Sequence, residues 1–431
     1  MSAGSAAGGP APALEGLAER AALEAAFEAA LAELGHRARA LGRSEGPALF
    51  GLSQQDPHGL AAARQSLRLL GDSGLLGAAI APAHGGLALP GQRPAAVSVR
   101  ALCALREELA YHHGMLDLML VMAGLGSYPL QLGGNPELRR RWLPGVQSGR
   151  AVAAYGLTEP GAGSSLDEIA TRAERVPGGY RLSGHKTFIS NAGLADFYTV
   201  LARTAGQPGD KGRENLSMFL VPASAAGLAA RPFEVLAPHP IGDVHLSGVF
   251  VPEAERLGAE GQGLALALET LATFRTTVAA AANGFSRRAL AESVAHLEAR
   301  SQFGKPLAQN QALRFEIAEM DTDLAAARLL VAEAARLADA EDPAAPRAVS
   351  RAKLFATEAA GRICDRAVQH HGGLGVKRGS VVEDLYREVR ALRIYEGTSE
   401  IQKLILSKHA FEEHRPGGPA GKQSTRAAPE R

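Results

Sequence analysis

Hydrophobic and polar positions change period twice along the chain. Over residues 13–147, Ala and Leu recur at i, i+3 and i+4 with charges opposite, as in 14–40 and 97–111. This spacing predicts amphipathic helices. Over 151–251 the pattern breaks into short runs rich in Tyr, Phe, Val, Ile and Thr, at 151–157, 180–190, 197–202, 216–221 and 245–251. Gly, Pro and Asp separate them, which predicts a small antiparallel β domain. From 261 to 412 long helical patterns return, at 263–300, 309–340, 346–371 and 398–413. Long helices with short loops predict an antiparallel bundle.

The expected fold is therefore mainly α with a central β domain (α+β). An N-terminal helical domain spans 14–150, a barrel-like β domain 151–258 and a C-terminal four-helix bundle 259–413. The Ala/Gly/Pro/Ser-rich ends, 1–13 and 414–431, read as a disordered leader and tail.

Composition narrows the function. Lys+Arg (46) and Asp+Glu (45) balance, which removes the electrostatic case for a nucleic-acid or anionic-membrane binder. The most apolar run, 115–125, contains Asp117 and is shorter than the ~20 residues of a spanning helix, so no membrane insertion is expected. Two cysteines, Cys103 and Cys364, are too few for a disulfide framework; they read as buried core residues in a reducing, cytoplasmic location. No metal site is expected: His112-His113 and His370-His371 sit at i, i+1, which do not share a helix face. Gly161-Ala162-Gly163 and Gly373-Leu374-Gly375 lack the context of a dinucleotide fingerprint, and there is no Walker loop, H-E-x-x-H, C-x-x-C or G-x-S-x-G.

Three distant segments carry unusual chemistry. Tyr155 to Ser165 (YGLTEPGAGSS) is a strand ending in a Gly-rich turn with hydroxyls, where backbone N–H groups can approach a ring or a phosphate. An ordinary Gly/Ser turn is the alternative. Gly184 to Gly193 (GHKTFISNAG) is a β run with Phe188 and Ser190; read alone, it is a strand and turn with one core Phe. In Arg393 to Gln402 (RIYEGTSEIQ), Thr398 or Ser399 can cap a helix, and Glu396 is either a solvated acid near a helix start or a carboxylate whose desolvation suits it to proton abstraction.

Together these segments resemble the acyl-CoA dehydrogenase family. Residues 155–164, Arg300-x-x-Phe303-Gly304 followed by Gln311, Gln369 with Gly372-Gly373, and Tyr395-Glu396-Gly397-Thr398 match its motifs in order, and the resemblance covers about 15–412. It implies FAD, and α,β-dehydrogenation of an acyl-CoA thioester to a 2-enoyl-CoA, with Glu396 taking the α-proton, the β-hydride passing to flavin N5, and electrons going on to an electron-transfer flavoprotein. By the same resemblance, Tyr155, Leu157, Thr158, Gly163, Ser164, Phe188, Ile189, Ser190, Thr398 and Glu400 contact FAD. Gly372 also falls to FAD, and Arg300, Phe303, Gln311, Gln369 and Gly373 reach the FAD of a neighbouring subunit, so a homo-oligomer, dimer or tetramer, is implied. Ser164, Arg275, Tyr395 and Gly397 fall to the substrate.

Three positions depart from the family pattern. Ser165 stands where Asp is frequent, Phe188 where Trp is frequent, and Ala272 where an Asp often precedes Arg275 by three residues. A flavin acyl-CoA oxidase or a dehydrogenase of carrier-bound acyl groups on the same scaffold is the alternative activity. A non-catalytic helical assembly protein is the alternative class. The only Trp, Trp142, is expected to pack inside the first helical domain.

Overall fold

The computed structural model describes residues 12–415. The leader and tail expected at 1–13 and 414–431 thus fall almost wholly outside the described residues. Five helices come first: α1 (Pro12–Gln55), α2 (Leu60–Asp72), α3 (Val99–His112), α4 (Gly114–Gly133) and α5 (Pro136–Gln147). The β domain follows with β1 (Ala153–Gly156), β2 (Arg172–Val176), β3 (Gly179–Ser190), β4 (Phe197–Arg203), β5 (Leu216–Pro222), β6 (Leu228–Pro232), β7 (Ile241–Pro252) and β8 (Arg256–Leu257). Last come α6 (Gly263–Ala299), a hairpin β9 (Ser301–Gln302) and β10 (Lys305–Pro306), then α7 (Gln311–Asp339), α8 (Ala345–His371), α9 (Val381–Leu392) and α10 (Ser399–His414).

The helix starts are encoded locally. Ser98, Asn135, Asn310 and Ser380 each accept a backbone N–H of the turn they open. Pro136 occupies the first position of α5, where its missing N–H costs nothing. Strands β2, β6 and β8 and helix α9 were not among the sequence expectations. The three strands are short, and β2 and β6 are half exposed, so their apolar periodicity is faint; α9 differs, since its buried Val382, Leu385, Val389 and Leu392 form a clear helical stripe that the sequence reading missed.

The sheet runs in the order β6-β7-β3-β2-β4-β5-β8, with β1 beside β4. Most pairs are antiparallel as expected, but β1 lies parallel to β4, and β2 touches β4 in parallel at Arg172 and Arg203. The β3–β7 ladder shifts register twice, between Leu182 and Gly184 and between Lys186 and Ile189. Such irregularities re-aim side chains, and the second carries Phe188.

One apolar core runs from Phe27 through α2–α5 into β4, β5 and Phe274 of α6, so the first helices and the sheet share an interior. Trp142 accordingly does not stay within its helical domain; its ring packs on Phe197 of β4, centroids 4.7 Å apart. A second core joins α6, α7, α8 and α9 through small residues. Ala279, Ala280, Ala281 and Ala282 are fully buried, and a Cβ on Gly284 would collide with the Glu107 carbonyl of α3. Low aromatic content thus becomes close helix contact.

Helix α4 is longer than the apolar run anticipated. With α6 it is long and apolar enough to cross a membrane by length and composition, yet 89% of its apolar window is buried in the protein. Its Asp117 is bound by Arg106 of α3 at 2.6 and 2.8 Å, and Arg106 also donates to Thr277 Oγ1 of α6 at 2.8 Å. A buried charge is tolerable only when paired this completely.

Candidate active site

Glu396 lies in the loop between α9 and α10 with a backbone φ of 53°, and Gly397 follows at 91°. A left-handed glutamate costs about 1–3 kcal/mol and persists only where its surroundings hold it. Here Arg275 Nε of α6 donates to the Glu396 carbonyl oxygen at 3.0 Å. Lys353 Nζ of α8 donates to the Gly397 carbonyl at 2.7 Å, and Gln402 Nε2 of α10 donates to the same oxygen at 3.0 Å. The positive φ calls for glycine at 397, and a Cβ there would meet Gln402 Nε2 at 2.6 Å and push that amide off its bond to the Gly397 carbonyl. Thr398 caps α10 by accepting from Ile401 N at 3.3 Å, and Ser399 Oγ donates to Glu358 at 2.6 Å.

Glu396 Oε2 is buried and has no hydrogen-bond partner. Burial pushes the carboxyl above the ordinary glutamate range, while Arg106, Arg275 and Lys353 pull it back. Lys353 is fully buried, and burial lowers its ammonium to about 8. An orphaned carboxylate oxygen beside three cations is equipped to take a proton and to remain a competent base between turnovers.

The first two sequence segments meet in the β domain. Thr187 N of β3 donates to the Thr158 carbonyl at 3.0 Å. Below them, Lys186 Nζ donates to Glu159 Oε1 at 2.7 Å and to the Leu157 carbonyl at 3.1 Å. Glu159 also accepts from Ala170 N and Thr171 N. Burial alone would raise the Glu159 carboxyl, but Lys186 and these donors hold it below its usual range.

Above this clamp, Phe188 is 61% exposed at φ 54°, with its edge on Phe233. Ile189 is buried, and Ser190 Oγ lies 2.8 Å from His239 Nε2. Burial lowers His239 to about 4, so its ring is neutral near pH 7. Leu157 is buried, Thr158 half-buried, and Gly163 and Ser164 are exposed; a Cβ at Gly163 would meet nothing within 4 Å. Tyr155 is buried with its hydroxyl donating to the Ala267 carbonyl at 3.3 Å, so it ties this segment to α6. Tyr395 is exposed in the Glu396 loop, and Glu400 is exposed in the first turn of α10.

The remaining predicted residues lie elsewhere. Arg300, Phe303, Gln311, Gln369, Gly372 and Gly373 are all exposed and gather at the far end of the bundle. There His296 of α6 stacks on His371 of α8 at 4.2 Å, and His370 bonds Glu316 of α7 at 2.8 Å. At 1.5 Å per residue, the end of α6 is about 36 Å from Arg275. These six residues therefore do not join Glu396 within one chain.

Sequence reading missed Lys186, Glu159, Lys353, Gln402 and His239. Lys353 left a trace, since it lies four residues after Val349 and three before Ala356, on the buried stripe of α8.

The comparisons agree with this geometry. Residues 54–150, 154–249 and 261–411 match the N-terminal, middle and C-terminal domain models of acyl-CoA dehydrogenase. Cyclohexane-1-carbonyl-CoA dehydrogenase of Geobacter metallireducens is 36% identical over 72% of this chain and 82% of its own length. The CarC subunit of the caffeyl-CoA reductase-Etf complex of Acetobacterium woodii is 37% identical over 70% of this chain and 79% of its own. Butyryl-CoA dehydrogenase from Megasphaera elsdenii superposes with a TM-score of 0.80 at 28% identity, covering 88% of this chain and 98% of that one. The matches span every part of the fold that builds the site: the chain is an oxidoreductase of the acyl-CoA dehydrogenase family, whose members depend on FAD.

Proposed function

We propose that the protein catalyses α,β-dehydrogenation of an acyl-CoA thioester to the 2-enoyl-CoA, with Glu396 as the base for the α-proton. The observation that carries this reading is Glu396 Oε2, buried and unpartnered in a strained loop that three helices hold in place. The chain's residues fit FAD: the 155–164 turn and the Phe188–Ser190 segment form a rigid, clamped edge with open space above Gly163. When bound there, FAD supplies the acceptor for the β-hydride. Phe188 would back the ring, Ser190 would be held by His239, and the exposed Gly163 and Ser164 would face the cofactor's or substrate's phosphate-bearing arm. The Glu396 backbone N–H would stabilise charge developing on the thioester oxygen.

The exposed cluster of Arg300, Phe303, Gln311, Gln369, Gly372 and Gly373 supports a homo-oligomer in which that end of the bundle completes a neighbour's FAD site. Electron transfer to an electron-transfer flavoprotein is supported by the complex named for the Acetobacterium relative. Buried free Cys103 and Cys364 fit the expected cytoplasmic location. The test is anaerobic bleaching of the bound flavin by a panel of straight, branched, cyclic and aryl acyl-CoAs. Bleaching by at least one, abolished in Glu396→Gln, is expected. Rapid peroxide release in air would replace the dehydrogenase reading with an oxidase.

A further inference from the structure

The β3–β7 ladder brings together three metal-binding side chains that lie in two separate sequence stretches. His185 of β3 pairs directly with His245 of β7, and Asp243 lies two residues before His245 on the same face. The imidazoles stack with centroids 4.2 Å apart and planes 24° from parallel. One ligand atom from each of the three residues can be chosen so that all lie within 4.8 Å of one another. His185 Nε2 is buried, makes no hydrogen bond, and sits 3.4 Å from Asp243 Oδ1. A tetrahedral site with bonds of 2.0–2.1 Å has ligand-to-ligand edges of about 3.3 Å, so this pair already has the required spacing. A ligand atom of His245 lies within 4.8 Å of the other two, and its ring must turn out of the stack for its lone pair to meet theirs at one ion.

The geometry points to a divalent transition-metal site formed by His185, Asp243 and His245 on the outer face of β3 and β7. Two imidazoles and one carboxylate select zinc-like ions over magnesium or calcium, which favour all-oxygen sets. Between the site and Ile189 lies the register shift that carries Phe188. A bound ion would therefore fasten β3 to β7 just before the strand turns toward the flavin edge. This assignment is independent of the proposed reaction, and its test does not read turnover.

The FAD-loaded full chain, stripped with a chelator and dialysed, is titrated with zinc chloride in a calorimeter. One ion per chain with a Kd in the micromolar range or tighter is expected. His185→Gln and His245→Gln should each weaken binding at least tenfold, with FAD content and far-UV circular dichroism unchanged. Asp243→Asn should weaken it likewise and serves if either histidine variant folds poorly. Absence of saturable binding, or a His185→Gln/His245→Gln double variant that takes up zinc as the wild type does, overturns the assignment.

Discussion

Arg275 and Glu396 are 121 residues apart in sequence, and the guanidinium of one holds the backbone carbonyl of the other at 3.0 Å. That bond fixes the left-handed turn that aims the Glu396 carboxylate, and it places a cation beside a buried acid. Arg275→Ala removes both effects. Hydrogen bonds from charged groups contribute about 1.5–3 kcal/mol, so anaerobic flavin reduction is expected to slow roughly 10- to 100-fold. Loss of the cation raises the Glu396 pKa further, moving the pH–rate profile to higher pH. An unshifted profile in stopped-flow measurements would count against this role for Arg275.

Glu396→Gln should lower the rate of flavin reduction by about 10²–10⁴-fold, the usual contribution of a positioned base. In the wild type the rate should rise with pH through a pKa above the ordinary glutamate value of about 4.3. Stability moves oppositely. A carboxyl raised by folding binds more protons in the native state than in the unfolded one. Stability therefore falls as pH rises from the ordinary to the raised value, and the penalty is complete above it. The inactive glutamine variant is accordingly expected to melt above the wild type at pH 8 and to lose that advantage at pH 4. Equal melting temperatures at pH 8 would show that the carboxylate is not buried at a cost.

Lys186 and Glu159 are side chains 0% and 5% exposed. Lys186→Met strands the Glu159 carboxylate, and breaking a buried pair in this way costs about 3–5 kcal/mol. The urea midpoint should fall, and FAD should be lost on gel filtration, because both segments proposed to hold the flavin hang on this clamp. Adding Glu159→Gln should recover much of the midpoint. A double variant no more stable than Lys186→Met would contradict the stranded-charge account.

Phe303 is fully exposed at φ 52°, at the tip of the hairpin that follows α6. If that end of the bundle completes a neighbour's site, Phe303→Asp should lower FAD occupancy and reduce the mass seen by light scattering. The chain's own fold should remain intact by circular dichroism. Unchanged mass and FAD content would separate Phe303 from any subunit contact.

The sequence by itself determined the order of helices, strands and helices. Apolar period and capping residues such as Asn135, Asn310 and Thr398 act over three or four neighbours, so they are written locally. Glu396, Phe188 and Ser190 stand out as candidates only through the resemblance of their short local segments to family motifs, since each segment read alone is an ordinary loop or strand–turn. Only the tertiary structure decided which of these meet. Arg275 of α6 and Lys353 of α8 reach the Glu396 loop through their hydrogen bonds to its carbonyls, while Arg300, Phe303, Gln311, Gln369, Gly372 and Gly373 lie far off because α6 runs on to Ala299. His185, Asp243 and His245 meet through a strand pairing whose register shifts twice. Register and helix approach depend on how many side chains fit at once, down to a missing Cβ at Gly284 and Gly397. No short stretch of sequence contains that information.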